Sequence, residues 1–185
     1  MPENALAGTW FRVNAGTSVI GVPVSLNKHR FWRNTTIATA TATVNLPAGT
    51  LGYEWDEAPI NAFTPPGMML LSQRTVAGVD ILLDLGSSFG GGSATHSMTL
   101  YRHSSGALVF GAGTVQWTWG LDAVHDRGSA AADTRMRQAT VNLFADMDVL
   151  PRTIQSGLVL TSPSSDTLAP GSTITAPTNG ASIAQ

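Results

Sequence analysis

The sequence predicts an α/β domain, strand-heavy and closed by one long C-terminal helix. Three observations lead there. The hydrophobic run Ser105-Gly106-Ala107-Leu108-Val109-Phe110 passes into Gly111-Ala112-Gly113-Thr114-Val115-Gln116-Trp117-Thr118-Trp119-Gly120-Leu121. That is how a buried strand ends at the rim of a sheet, where sites are built. A second segment, Leu51-Gly52-Tyr53-Glu54-Trp55-Asp56, alternates as a strand does. From about Ala130 to Met147, Met136, Ala139, Thr140, Leu143 and Met147 recur at three- and four-residue spacing as one apolar stripe, with Arg135, Arg137 and Asp146 largely off it. A strand followed by such a helix is the closing unit of an α/β layer.

In chain order, Thr9 to Val13 and Ser18 to Val24 read as short strands, and Arg30 to Thr35 as a helical or irregular turn. Ile37 to Leu46 alternates apolar residues with Thr, which suits an exposed strand or extended arm. Leu51 to Trp55 is a strand, Pro65-Pro66-Gly67 punctuates, and Met68 to Ser72 and Asp80 to Leu85 follow as strands. Ser87 to Ser93 reads as a Gly/Ser loop, and it lacks the Lys-Ser/Thr of a phosphate loop. Thr95 to Arg102 and Ala107 to Gly111 form a hairpin across His103-Ser104-Ser105-Gly106. Ser129 is the expected N-cap of the closing helix, with Asp133 in its first turn, where a negative charge suits the helix dipole.

Composition narrows the function classes. Charged residues make up 12% of the 185, about half the usual share. Gly, Ser, Thr and Ala fill the gap, as they do in exported or surface proteins. A net charge of −2 with scattered basic residues leaves no electrostatic footprint for nucleic acid. The absence of cysteine excludes thiolate nucleophiles, disulfides, iron–sulfur clusters and thiolate zinc sites. No stretch approaches the ~20 apolar residues of a membrane span. Met1-Pro2-Glu3-Asn4 lacks the basic start and apolar block of a signal peptide.

The chain divides near residue 160. Residues 161–173 are rich in Ser, Thr, Pro and Gly without an aromatic, and read as a linker. Residues 174–185 carry a strand-like start, a Pro and an Asn-Gly turn signal, and resemble the first strand of a bacterial immunoglobulin-like repeat. The expectation is a piece of something longer, with residues 1–160 an incomplete domain.

Four segments, in order, carry a resemblance to one family. They are Phe31-Trp32-Arg33-Asn34-Thr35, Leu51-Gly52-Tyr53-Glu54-Trp55-Asp56, Val109-Phe110-Gly111-Ala112-Gly113-Thr114-Val115-Gln116-Trp117, and Ala139-Thr140-Val141-Asn142-Leu143-Phe144-Ala145-Asp146-Met147. Together they resemble the C-terminal catalytic region of the N,N-dimethylformamidase large (beta) subunit and its relatives, over roughly residues 5 to 160. The resemblance implies the later part of a class I glutamine-amidotransferase-like, flavodoxin-type domain, in long exported proteins followed by immunoglobulin-like or cadherin-like modules. It also implies an amide hydrolase with mononuclear iron held by tyrosines and a glutamate. Those ligands lie mostly upstream of the present segment, so iron belongs to a full-length parent and no cofactor is expected in this piece. A late glutamate assists at the iron in that family, and Glu54 is the position that matches it.

Glu54 and Asp56 alternate on the predicted strand and so share a face, opposite Tyr53 and Trp55. Two carboxylates there can orient a water, act as general base and stabiliser, or bind a hard cation. The plainer alternative pairs Glu54 with Arg30 or Arg33 and makes Asp56 a turn cap. His125, in Asp122-Ala123-Val124-His125-Asp126-Arg127, suits an acid/base or metal-ligand role, or a structural one. His96 and His103 fit structural or solvated roles better. Trp117 and Trp119 alternate around the turn, either lining a pocket or packing inside. No H-E-x-x-H, H-x-H or G-x-S-x-G spacing occurs.

The leading expectation is a C-terminal piece of an amidohydrolase-like domain from a large exported or cell-surface bacterial protein, inactive alone. Its partners are the rest of the parent chain and a small amide substrate, with neither nucleic acid nor a membrane span. The rival expectation is a non-catalytic adhesion or carbohydrate-binding module.

Overall fold

The computed structural model describes residues 2–128, 131–166, 171, 173, 175 and 176. The expected Ser129 cap lies outside them, as does the immunoglobulin-like start at 174–185 apart from Thr175 and Ala176.

The strands pair antiparallel throughout. A four-stranded closed sheet runs β1 (Trp10–Asn14), β4 (Glu54–Glu57), β7 (Ser88–His96), β6 (Arg74–Leu83). It closes through single pairings, Glu57 with His96 and Val13 with Ile81. A second sheet pairs β2 (Gly21–Val22) with β3 (Val44–Asn45), and a third orders β5 (Met69–Leu70), β8 (Thr99–Arg102) and β9 (Leu108–Gly111). A four-residue helix α1 (Asn4–Ala7) precedes β1, and one long helix α2 (Thr134–Asp146) follows the last strand.

The α/β, flavodoxin-type expectation is therefore corrected: this is a strand-rich antiparallel β domain of the sandwich type. A parallel sheet needs crossover connections of a dozen or more residues, usually helical, between successive strands. Here β6 to β7 and β8 to β9 are joined by short turns, and such connections return the chain antiparallel. Among the described residues the only long helix comes after the last strand.

Local readings fare unevenly. The β8–β9 hairpin forms around its tight turn, His103 N donating to Ala107 O at 2.8 Å. The turn at Arg30–Trp32 is 3₁₀. The extended arm at 37–46 is instead a second 3₁₀ turn, Thr36–Thr39, followed by the two residues of β3. The Gly/Ser loop at 87–93 is a strand. It pairs with β6 along nearly its whole length, and the side chains of Ile81 and Leu83 lie where Cβ atoms at Gly92 and Gly90 would be. Small residues are what let those side chains fold across the ladder.

Helix α2 starts later than its periodicity suggests. Asp133, not Ser129, is the N-cap, accepting from the amides of Arg135 (2.8 Å) and Met136 (3.4 Å). Its buried face carries Met136, Ala139 and Leu143, as the stripe predicts, but also Gln138 and Asn142, while Met147 is exposed. Asn142 Nδ2 donates to the carbonyls of Phe31 (2.9 Å) and Arg33 (2.7 Å), docking α2 on the 3₁₀ turn. Gln138 bonds Asn142 and both backbone groups of Val159. Under this joint Phe31 stacks on Phe110 at 5.4 Å, meets Trp32 edge-on at 4.7 Å, and Trp117 closes on Phe110 at 5.8 Å. No helix among the described residues is long and apolar enough to cross a membrane.

Candidate functional site

Thr114 organises the candidate site. Its hydroxyl sits 3.1 Å from the carbonyls of Thr50 and Gly52 and accepts from the amides of Gly52 (3.1 Å) and Gln116 (3.2 Å). This clamp lays residues 113–115 antiparallel to the start of β4. Asp56 N donates to Gly113 O at 2.9 Å, and Val115 N to Glu54 O at 3.2 Å. The two segments singled out in the sequence, 51–56 and 111–121, thus form one wall.

Gly113 makes the close approach possible. Its φ is +63°, and a Cβ there would lie 3.0 Å from both His96 Nε2 and Ser97 O. His96 is completely buried behind this wall, edge-on to Trp55 at 6.1 Å, with Nε2 3.0 Å from Ala112 O and Nδ1 unpartnered. Burial pushes the imidazole down to about 4, against the raising effect of the Ala112 carbonyl. The ring is therefore neutral at pH 7 and faces the core.

Glu54 and Asp56 project from the same side of β4 into a cleft of about 310 Å³, bordered by Thr9, Phe11 and the backbone of 111–115. The shared face is as the alternation requires. Asp56 Oδ2 accepts from Thr9 Oγ1 at 2.8 Å. Burial pushes the Asp56 carboxyl above the usual range; the Thr9 bond opposes this, and the nearby Glu3 charge adds to it. The plainer alternatives do not form. Arg30 and Arg33 both pair with Asp146, at 2.9 and 2.8 Å, and Glu54 enters no ion pair among the described residues. Sequence reading missed Thr9, Glu3 and Thr114, since single hydroxyls and a distant carboxylate carry no local pattern.

Trp55 is buried, its indole donating to Gly16 O at 2.9 Å, whereas Tyr53 is half-exposed on a different cleft. His125 does not join the carboxylates. It stacks on Trp119 with ring centroids 4.4 Å apart and planes 8° from parallel, outside the residues that line the Glu54–Asp56 cleft. His103 is exposed in the β8–β9 turn, with Nδ1 2.9 Å from Ser105 Oγ.

Among the described residues no group of three or more His, Asp or Glu is placed to hold a metal ion. Both tyrosines are accounted for elsewhere: Tyr101 donates its hydroxyl to Leu6 O at 2.6 Å, and Tyr53 lies on the other cleft. Two carboxylates alone do not make the tyrosine–glutamate ligand set.

Fold and site together define an antiparallel β domain that presents paired carboxylates over a glycine-lined backbone wall. A family model described as N,N-dimethylformamidase beta subunit-like, C-terminal, matches residues 1–132, and the chain belongs to that family. The match takes in every strand among the described residues and all the residues lining the cleft but stops before α2, so the closing helix that the resemblance included falls beyond it. No curated protein and no solved structure matches the chain.

Proposed function

We propose that this chain supplies the Glu54–Asp56 carboxylates to hydrolysis of a small amide by a longer parent protein, and that residues 1–185 alone do not turn over. The observation that carries the reading is the pair itself: two carboxylates on one face of β4, in one cleft. Asp56, raised by burial, suits the role of proton donor to the departing amine. Glu54 suits the base that takes a proton from the attacking water. The water oxygen bonds to the amide carbon, the carbon–nitrogen bond breaks, and the amine leaves with the proton Asp56 gives it. Proton transfer of this kind contributes about 10²–10⁴-fold in rate.

Metal ligands, where the parent uses iron, come from outside these residues. The low charge supports an exported or cell-surface parent, and residues 161–173 serve as its linker to a following module. Thr161 and Ser162 are still tied to the body through Arg33 and Arg30, so limited proteolysis is expected to cut C-terminal to them. The functional test is turnover of a small N-alkylated formamide by the parent, with Glu54→Gln and Asp56→Asn. Loss of turnover with retained fold supports the reading, and full turnover in both variants removes it.

A further inference from the structure

A second cleft lies on the other side of the wall formed by segments 53–56 and 113–116. Tyr53 and Gln116 line it, while their chain neighbours Glu54 and Val115 line the carboxylate cleft. It encloses about 540 Å³, within the range of small-ligand sites. Four of its features point to a ligand. Gln116 is only 6% exposed, yet its Oε1 is buried without a partner. Tyr53 presents a half-exposed ring. Trp119 is held flat against His125, so its ring is fixed before any ligand arrives. Arg127 stands at the lip, 79% exposed and only loosely paired with Asp126 at 3.8 Å.

The buried amide is the telling group. An unpartnered buried polar atom is costly and calls for a partner from outside the chain, a water or a ligand group. Gly52 is part of that arrangement: a Cβ there would lie 2.2 Å from Gln116 Oε1 and 2.9 Å from Thr17 Oγ1, so only glycine leaves the amide its place. A half-turn of the amide exchanges acceptor for donor, and a hydroxyl is both, so hydroxyl and amide pair in either orientation. Aromatic rings beside such groups suit the apolar face of a sugar ring.

We infer that the cleft of Tyr53, Gln116 and Trp119 binds a pyranose unit of a saccharide, with Arg127 favouring an acidic sugar over a neutral one. The site stands apart from amide hydrolysis and is read on the 185-residue chain itself. Oligogalacturonate and cello-oligosaccharide are titrated while tryptophan emission is recorded, with calorimetry alongside. Saturable binding is expected, tighter for the galacturonate. Trp119→Phe abolishes the emission change. Tyr53→Ala and Gln116→Leu each weaken binding about tenfold or more. Arg127→Ala removes the preference for the acidic sugar. Phe63→Ala, an exposed ring outside the cleft, binds as the parent chain does. Tyr53 is half-exposed, so its loss is read on a folded protein even where Gln116→Leu perturbs the interior. Absence of any saturable response to both saccharides overturns the inference, as does undiminished binding by Tyr53→Ala and Gln116→Leu.

Discussion

Thr9, just before β1, donates its hydroxyl to Asp56 Oδ2 on β4 at 2.8 Å, and this bond favours the ionised form of the carboxyl. It opposes the burial that pushes the carboxyl up. Removing it with Thr9→Val is expected to raise the Asp56 pKa further, read as the carboxyl carbon shift in an NMR titration. An unchanged titration would show that burial alone governs the group.

Asp56 also has a signature in stability. A carboxyl whose folded pKa is raised stabilises the fold below its unfolded pKa, and that stabilisation is lost as pH rises through the folded value. Asp56→Asn is therefore expected to gain stability relative to the unsubstituted chain as pH rises above the ordinary aspartate value of about 4. Denaturant midpoints at several pH values check this.

His96 works in the opposite direction. Its folded pKa, about 4, lies below the unfolded 6.5, so stability is complete above 6.5 and falls as pH drops toward 4. The difference amounts to about 3 kcal/mol across that window. His96→Gln is expected to flatten the slope of unfolding free energy between pH 7 and 4.5, whatever its effect at pH 7. A slope equal to that of the parent chain would place the acid sensitivity elsewhere.

The docking of α2 rests on polar groups. Asn142→Ala leaves the Phe31 and Arg33 carbonyls without their donor and is expected to cost about 2–3 kcal/mol. Asp133→Ala removes the helix cap and the partner of Arg135, costing about 1–2 kcal/mol. Burial alone would raise Asp133, but Arg135 and the helix amides outweigh it and hold the carboxyl low. Its share of stability is present above the ordinary carboxylate range and is lost as pH falls through the lowered value. Thermal unfolding of both variants at pH 7 and pH 3 separates the contributions.

The shared face of Glu54 and Asp56 was legible because it rests on alternation. Glu54 and Asp56 at i and i+2 on a strand must share a face, and they do. The run at 111–117 announced a strand ending in small residues, and Gly113 shows why nothing larger fits there. The fold class was not legible. One amphipathic helix after a strand reads locally as an α/β unit, while sheet direction depends on which strands pair, and pairing is non-local. The Gly-rich β7 hid because its partner β6 supplies the bulky side chains. Polar Gln138 and Asn142 hid on the buried face of α2 because their partners, Val159, Phe31 and Arg33, are 21, 111 and 109 residues away in sequence.

The most direct measurement is steady-state hydrolysis of a small N-alkylated formamide by the parent protein that contains this region, with Glu54→Gln compared with the unsubstituted protein. The account predicts a fall in kcat of about 10²-fold or more with folding intact. Undiminished turnover by Glu54→Gln would contradict it, and would leave the carboxylate cleft without a part in the chemistry.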